Sequence, residues 1–259
     1  MDQTTTTAPT TLRGLVAVVT GGAKGIGLGI ARELAQAGCR IILWDSDEAA
    51  LREAGQTLSG EGTDVKTFLV DVTSAAQVEA TVAEIIASHA RIDILVNNAG
   101  IGGDKLVSKM DLAFWKRVME VNLDSQFICS KAVLASMAEN GFGRIINIGS
   151  RAWLGNRGQA AYSASKGAVV SLTRSLALEY ARKGITVNTI APGIVETPLF
   201  ATLNDEVKQG LHKSVPMQRI GQPGDIGNAV RFFAEPGSGY VTGQLLYVCG
   251  GRSLSGMSV

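Results

Sequence analysis

Two side chains that can exchange a proton near neutral pH lie four positions apart, at Tyr162 and Lys166. On a helix, residues with this spacing share one face. A phenol ordinarily loses its proton near pH ~10, and a fixed ammonium group beside it lowers that pKa. The pair therefore predicts a tyrosine that acts as a general acid or base. The chain has only two histidines for such a task, His89 and His212.

The pair taken alone is weak evidence, because Tyr-x3-Lys also arises by chance on amphipathic helices. In that alternative, the tyrosine is half-buried and the lysine is solvated. Two further polar residues strengthen the catalytic interpretation. Asn122 stands in the middle of a predicted long helix, where asparagine is unfavourable, and so indicates a local kink or a polar task. Ser150 directly follows a predicted strand, although a loop or capping serine is its commoner role.

A glycine-rich segment, Thr20 to Gly27, joins the first predicted strand to the first predicted helix. Glycines allow a sharp turn and let a pyrophosphate approach the helix N-terminus, whose N–H groups and dipole favour an anion. The spacing G-x3-G-x-G differs from the usual G-x-G-x-x-G, and a simple turn is the alternative. The candidate cofactor-binding residues in this segment are Gly21, Lys24, Gly25, Ile26 and Gly27.

Polar and small residues also follow the next three predicted strands. Asp45 ends the second strand, where a carboxylate can accept hydrogen bonds from an adenosine ribose. The alternative for Asp45 is a helix N-cap, and for the others it is ordinary turn chemistry. The candidates that follow strands three and four are Asp71, Val72, Asn98, Ala99 and Gly100.

The elements that must position these residues are short apolar runs alternating with longer amphipathic stretches. The runs are continuous rather than alternating in polarity, as in strands buried on both faces of a parallel sheet. This order predicts an α/β fold, a single Rossmann-type doubly wound parallel sheet with helices on both faces. The predicted strands are 15–19, 40–44, 65–70, 92–96, 144–148, 185–190 and 244–248, and the predicted helices are 25–37, 47–58, 74–89, 109–138, 159–182 and 223–234.

The domain boundaries follow from composition. Residues 1–11 are rich in threonine and predict a disordered tail, whereas 12–259 read as one dinucleotide-binding and catalytic domain. Residues 198–223 interrupt the alternation, with an amphipathic piece at 203–212, and predict a lid or substrate wall at the ligand side of the sheet.

Charge and cysteine content exclude several classes of function. With 18% charged residues and a net charge of +1, the chain is a poor partner for nucleic acid or an anionic membrane. Its three cysteines, Cys39, Cys129 and Cys249, lack paired spacing and predict buried free thiols rather than disulfides or a metal site. We expect no signal peptide, no membrane span and a cytoplasmic location.

Together these motifs resemble the short-chain dehydrogenase/reductase family over nearly the whole stretch from Leu12 to Ser253. Each motif is weak alone, but five of them occur in family order. They are Thr20-Gly21-x3-Gly25-x-Gly27, Asn97-Asn98-Ala99-Gly100, Ser150, Tyr162-x3-Lys166 and Pro192-Gly193-x3-Thr197.

The resemblance implies a nicotinamide-dependent oxidoreductase that interconverts a secondary alcohol and a ketone. In that scheme Tyr162 is the acid/base, and Lys166 lowers its pKa and holds the nicotinamide ribose. Ser150 binds the reacting oxygen, and Asn122 holds a helix kink and a relay water. Asn98 and Gly100 line the adenosine side. The implied contacts to the nicotinamide carboxamide side are Pro192, Gly193, Val195 and Thr197.

Two alternatives to this function stay open. The chain also resembles 3-oxoacyl reductases, so the substrate can instead be a thioester carried by CoA or an acyl carrier protein. A dinucleotide-sensing scaffold without turnover is the non-enzyme alternative, disfavoured because the implied catalytic residues are all present. Apolar candidates for the substrate wall predict a partly apolar small-molecule substrate: Ile101, Trp153, Leu154, Leu199 and Phe200.

The resemblance also implies a homotetramer, and the two long predicted helices carry surplus apolar surface. Three departures from the family pattern stand out. The first is the spacing from Ser150 to Tyr162, which is one residue shorter than the commonest family spacing, and we place the deletion in loop 151–158. The second is Cys249, which stands where many members have aspartate. The third is a conflict over the cofactor, since Lys24 attracts the 2′-phosphate of NADP and Asp45 repels it. A fixed carboxylate outweighs a mobile lysine, so we expect NAD rather than NADP.

Overall fold

Seven β-strands form the core of the computed structural model, which describes residues 12–254. The strands are β1 (Val16–Thr20), β2 (Arg40–Asp45), β3 (Val65–Leu69), β4 (Ile94–Asn97), β5 (Gly143–Ile148), β6 (Ile185–Pro192) and β7 (Leu245–Val248). They lie in the order β3-β2-β1-β4-β5-β6-β7, and every neighbouring pair is parallel. The predicted fold class is confirmed, whereas the predicted tail at 1–11 lies outside the described residues.

Helices cover both faces of this sheet. They are α1 (Gly25–Gln36), α2 (Glu48–Gly60), α3 (Ala75–His89), α4 (Leu112–Met119), α5 (Ser125–Glu139), α6 (Ala160–Tyr180), α7 (Pro198–Ala201), α8 (Asp205–Lys213) and α9 (Pro223–Ala234). Side chains cap several of them at the N-terminus, as their sequences favour. Asp47 accepts a hydrogen bond from the Ala50 N–H, and Ser74 and Asp111 play the same part for α3 and α4.

The apolar core lies in two layers, one on each side of the sheet. One layer includes Ile146 and Ile190 of the sheet with Ile30 of α1 and Val230 of α9. The other packs strand residues such as Ile145 against α3, α5 and α6. Because both faces are buried, the strands carry continuous rather than alternating apolar residues.

A buried polar row crosses the second layer near the carboxyl ends of three strands. Asn97, Asn147 and Thr189 are paired across β4, β5 and β6, and each is at most 1% exposed. The Asn97 amide donates to Asn147 Oδ1 at 2.8 Å, and the Asn147 amide donates to Thr173 Oγ1 of α6 at 2.8 Å. Thr173 and Thr189 hydroxyls lie 2.7 Å apart, and Asn97 also donates to Ser130 Oγ of α5.

The helix predicted over 109–138 is two helices joined by a π-helical turn, Glu120–Asp124. Such turns insert an extra residue and bend the helix, frequently at functional sites. Asn122 lies within the turn, so the α-helix is interrupted where Asn122 predicted a local irregularity. The insertion at 198–223 contains α7 and α8, which covers the predicted amphipathic piece, while the side chain of Leu199 lies outside the described residues.

The strand order places a switch point at β1, which is flanked by β2 on one side and β4 on the other. Crevices for ligands form outside the carboxyl ends of the strands at such a point. Within residues 12–254, no helix is long and apolar enough to span a membrane.

Candidate active site

A cavity of about 520 Å³ opens at the carboxyl edge of the sheet, around the switch point. It brings together residues from every motif that the sequence singled out. The predicted site residues that line it are Gly21, Lys24, Ile26, Gly27, Asp45, Asp71, Val72, Asn98, Ala99, Gly100, Ser150, Tyr162, Lys166, Pro192, Gly193 and Thr197.

Three predicted residues do not line this cavity. Gly25 has a φ of +52° and faces a separate surface groove, where its missing Cβ leaves room for Thr197. Val195 is 7% exposed and pairs with Gly221 in an isolated bridge. Asn122 is fully buried behind the cavity. Their predicted roles in cofactor binding and catalysis stay predictions.

The predicted proton-transfer pair lies on one face of α6. Lys166 is 3% exposed, and its Nζ lies 5.7 Å from the centroid of the Tyr162 ring. This ammonium donates a hydrogen bond at 2.9 Å to the carbonyl of Ile148, the last residue of β5. Burial lowers the pKa of Lys166 to about 8.

The expected pKa of Tyr162 needs correction. Burial raises the pKa of the phenol above its ordinary value, and a hydrogen bond with Ser150 lowers it only in part. Desolvation, which disfavours the charged phenolate, is the larger effect. The Lys166 ammonium lies 5.7 Å from the ring centroid and is held by the Ile148 carbonyl. The protein alone therefore holds Tyr162 as a neutral phenol at neutral pH.

Ser150 lies two residues beyond the end of β5 and lines the cavity. Its backbone is extended, and its Oγ accepts a hydrogen bond from the Ala152 N–H at 3.1 Å, capping the short 3₁₀ turn Arg151–Leu154. The same hydroxyl favours the ionised form of the Tyr162 phenol and so lowers its pKa. Ser150 and Tyr162 both line the cavity, to which Ser150 presents a hydroxyl group.

Asn122 fastens the π-helical turn to two neighbouring segments. Its Oδ1 accepts from the Ile101 N–H at 2.7 Å, and its amide donates to the Ile101 carbonyl at 2.9 Å and to Ser165 Oγ at 3.2 Å. A side chain at Gly100 would approach Asn122 Oδ1 to 3.1 Å and Lys166 Nζ to 3.4 Å. Asn122 therefore fixes the loop after β4 against α6, which carries the proton-transfer pair.

The glycine-rich segment fits a bound pyrophosphate. Within the described residues, no side chain caps the N-terminus of α1, in contrast to α2, α3 and α4. Gly21, Lys24, Ile26 and Gly27 of this end face the cavity. A Cβ on Gly27 would lie 2.1 Å from the Gly21 carbonyl, so only glycine permits the turn. The loop thus presents helix N–H groups and a positive dipole to an anion.

Asp45 lines the cavity directly beside the glycine-rich segment, where two backbone N–H groups hold its carboxylate. Its Oδ2 accepts from the Ala23 N–H at 3.2 Å, and its Oδ1 accepts from the Asp47 N–H at 3.1 Å. The capping task that was the alternative for Asp45 belongs to Asp47 instead. Lys24, expected to be mobile, forms an ion pair with Asp47 at 2.6 Å.

Asn98 and Thr20 tie the glycine-rich segment to β4. The Asn98 amide donates to the carbonyls of Thr20 and Gly21 at 3.0 and 2.9 Å, and Thr20 Oγ1 accepts from the Asn98 and Ala99 N–H groups. Asn98 thereby shapes the loop from behind while lining the cavity.

Several lining residues carry no motif and were not predicted. Arg117 and Val121 are one helical turn apart at the end of α4 and in the π-helical turn, and only that i, i+4 spacing could have marked them. Ile101, expected as a wall residue, does line the cavity. The other unpredicted lining residues are Ser46, Val70, Thr73, Gly102, Ile148 and Gly149.

Three further expected wall residues, Trp153, Leu154 and Phe200, do not line the cavity. The Trp153 indole N–H donates to the Tyr247 hydroxyl at 2.8 Å, which holds the ring towards β7. Leu154 is 49% exposed on the surface. The positions of Trp153 and Leu154 in the sequence, shortly after Ser150, did not show which way their side chains point.

Among residues 12–254, no cluster of His, Cys, Asp and Glu could hold a metal ion. Cys39 and Cys129 are buried free thiols, and burial raises the pKa of each to about 12. Cys249 is only half-buried, which corrects the expectation of three buried thiols.

The fold and the site define a dinucleotide-binding oxidoreductase, and comparisons with known proteins place the chain more closely. A family model described as enoyl-(acyl carrier protein) reductase matches residues 21–253. The chain belongs to the short-chain dehydrogenase/reductase family.

Relatives and a solved structure show the same likeness over almost their full lengths. Acetoacetyl-CoA reductase of Allochromatium vinosum is 45% identical, over 91% of this chain and 97% of the relative. Subunit BbsD of a hydroxy(phenyl)methylsuccinyl-CoA dehydrogenase from Thauera aromatica is 44% identical, over 92% of this chain and 96% of the relative. The crystal structure of gox2181 aligns with a TM-score of 0.90 and 36% identity, covering 95% of this chain and 98% of that one.

Proposed function

We propose that this protein interconverts a ketone and a secondary alcohol by hydride transfer, with Tyr162 as the acid/base. One observation carries the proposal. Tyr162, Ser150 and Lys166 line the same cavity as the glycine-rich segment and Asp45. A proton donor and a dinucleotide cradle thus share a space, as carbonyl reduction needs.

When bound, the nicotinamide cofactor supplies or accepts the hydride. The glycine-rich segment and the N-terminus of α1 hold its pyrophosphate, and Asp45 holds the adenosine ribose. Lys166 would hold the nicotinamide ribose, and Pro192, Gly193 and Thr197, which line the same cavity, would contact the nicotinamide carboxamide.

During reduction, Ser150 Oγ donates a hydrogen bond to the substrate carbonyl oxygen and orients it. As the carbonyl carbon gains hydride, Tyr162 Oη gives its proton to the oxygen, which becomes the alcohol hydroxyl. The raised pKa of Tyr162 keeps that proton in place before the reaction. The ammonium of Lys166 then stabilises the phenolate that remains.

A second candidate substrate is a 3-oxoacyl thioester, and the names of the relatives favour it. Besides the acetoacetyl-CoA reductase, a 3-oxoacyl-(acyl-carrier-protein) reductase of Vibrio cholerae is 43% identical over 93% of this chain. Its test is an activity screen that compares acetoacetyl-CoA, a 3-oxoacyl carrier-protein thioester, aryl ketones and cyclic ketones, with NADH and NADPH. Crotonyl-CoA serves as the control for enoyl reduction, and turnover of an enoyl thioester alone would contradict the carbonyl chemistry.

We propose NAD as the preferred cofactor, because the Asp45 carboxylate is fixed by two backbone N–H groups and faces the cavity. A like-charge contact with the 2′-phosphate of NADP is unfavourable. Wild type should favour NADH over NADPH by about tenfold or more in kcat/KM, equivalent to ~1.4 kcal/mol. Asp45→Ala should narrow that ratio. A wild-type preference for NADPH would contradict the assignment.

We propose a homotetramer that works in the cytoplasm. Large apolar side chains lie exposed on α4, α5 and α6, among them Leu112 (65%), Phe127 (48%) and Leu178 (84%). These side chains would be buried if α4, α5 and α6 formed the subunit contacts that the family resemblance implies. Multi-angle light scattering at micromolar concentration should give four times the 27.1 kDa chain mass. A monomer would contradict the prediction, and Leu178→Glu should weaken the assembly if α6 contributes to it.

A further inference from the structure

The ion pair between Lys24 and Asp47 lies beside the ribose end of the cavity. Lys24 Nζ lies 2.6 Å from Asp47 Oδ2, and both side chains are about half exposed, at 58% and 45%. Lys24 lines the cavity, as do Asp45 and Ser46, whereas Asp47 does not. The cation that the glycine-rich segment places in the cavity lining is therefore paired with a carboxylate outside that lining.

Asp47 is itself fixed from three directions. Its backbone N–H donates to Asp45 Oδ1 at 3.1 Å, and its Oδ1 accepts from the Ala50 N–H at 3.0 Å as the N-cap of α2. Its Oδ2 is the atom that binds Lys24. Because the two oxygens do separate work, the carboxylate cannot follow Lys24 without losing the cap.

We infer that Asp47 is a positioning residue for cofactor choice, which disfavours NADP by holding Lys24 away from the 2′-phosphate. This inference rests on the proposed nicotinamide-binding function and adds a residue that does not line the cavity. Asp45 disfavours NADP because its carboxylate repels the 2′-phosphate. Asp47 disfavours NADP because it forms an ion pair with Lys24, the one cation of the glycine-rich segment. A lysine released from its partner swings readily and binds phosphate as a point charge.

The Asp47→Asn variant separates the two tasks of this side chain. Asparagine is as good an N-cap as aspartate, so its Oδ1 can still accept from the Ala50 N–H. Its amide nitrogen cannot accept from Lys24, and the negative charge is gone. A thermal unfolding midpoint close to wild type would show that the cap of α2 survives.

The test measures cofactor binding rather than turnover. Dissociation constants of NADH and NADPH are obtained by nicotinamide fluorescence titration of the full chain without substrate. Asp47→Asn should tighten NADPH by about fivefold, the size of one exposed charge contact to a phosphate, and change NADH by less than about twofold. Adenosine 2′,5′-bisphosphate, measured against AMP by calorimetry, should show the same selective gain.

Two further variants assign the effect to Lys24. In Asp47→Asn/Lys24→Met the gain for NADPH should disappear, because the released cation is absent. Glu61→Gln is the matched control, since it breaks the exposed Arg32–Glu61 pair at the other end of α2 and removes the same charge. It should leave the NADPH to NADH ratio unchanged.

The outcomes are separable. If the ratio of the NADPH to the NADH dissociation constant is the same in Asp47→Asn as in wild type, the inference is overturned and the proposed function still stands. A gain that persists in the double variant means that the Asp47 carboxylate repels the phosphate directly, which also overturns it. If no form of the protein binds either dinucleotide, the proposed function itself is wrong, and this inference falls with it.

Discussion

A Tyr162→Phe variant is expected to bind the nicotinamide cofactor like wild type and to lose nearly all turnover. The phenylalanine ring preserves the packing on α6, while the substitution deletes the only proton that the proposed mechanism delivers to the carbonyl oxygen. General acid–base groups typically contribute ~10²–10⁴-fold to the rate. The measurement is kcat with the best ketone from the screen, alongside the fluorescence titration of the cofactor.

Ser163→Ala is the matched control for Tyr162→Phe. It removes one hydroxyl from the adjacent residue, whose Oγ is buried without a hydrogen-bond partner among the described residues. Its kcat should stay within about twofold of wild type, as expected for a change outside the reacting groups. A Tyr162→Phe variant that kept more than about a third of the wild-type kcat would rule out Tyr162 as the general acid, given the contribution expected of such a group.

Lys166→Ala should raise KM and lower kcat, because Lys166 lines the cavity and holds the nicotinamide ribose in the proposed complex. With a pKa of about 8, Lys166 is charged at neutral pH and stabilises the phenolate that forms when Tyr162 gives up its proton. The loss of kcat should therefore be largest near pH 7 and should shrink above pH 8, where wild type loses the same charge. A ratio of variant to wild-type kcat that is the same at pH 7 and pH 9 would contradict the electrostatic role.

A second readout follows from the buried ammonium. The pKa of Lys166 is about 8 in the folded chain against 10.5 ordinarily, so the unfolded chain binds more protons between these values. Its burial therefore costs stability below pH 8, and the cost is relieved as the pH rises towards 10.5. Between pH 8 and pH 10.5, the unfolding free energy of wild type should rise relative to that of Lys166→Ala by up to about 3 kcal/mol. Lys166→Arg, which keeps the charge at every pH, should lack that gain.

The sequence was sufficient for the fold because each layer follows a local pattern. Continuous runs such as that of β1, Val16–Thr20, carry apolar residues for both faces of the sheet, and the seven predicted strands are all present. The boundaries differ by up to two residues, since apolarity does not show where pairing ends. Asn122 predicted a bend because asparagine is unfavourable in a helix, and the π-helical turn is there.

The parts of the site that escaped prediction depend on side-chain direction and on contacts between distant segments. Arg117 reaches the cavity from a helix without any motif, and Trp153 turns away from it to bind Tyr247. The direction of the Tyr162 pKa was wrong because the cost of burial is invisible in a spacing of four residues. Likewise, the sequence contains Lys24 and Asp47 but does not show that they meet across 23 residues.

The buried polar row across β4, β5 and β6 favours the native register of these three strands over shifted registers. Leu95, Ile145 and Val187 lie on the same face two residues earlier, so apolar contacts alone would tolerate a sliding strand. A slip of one residue would turn Asn147 into the opposite layer, among Ile146 and Ile190, and leave its amide without partners. A shifted register is thus destabilised at the carboxyl ends of the strands, next to the candidate active site. When the hydrogen bonds of the row form in the native register, they also fix the positions of Ser150 and of the loop that begins at Asn98.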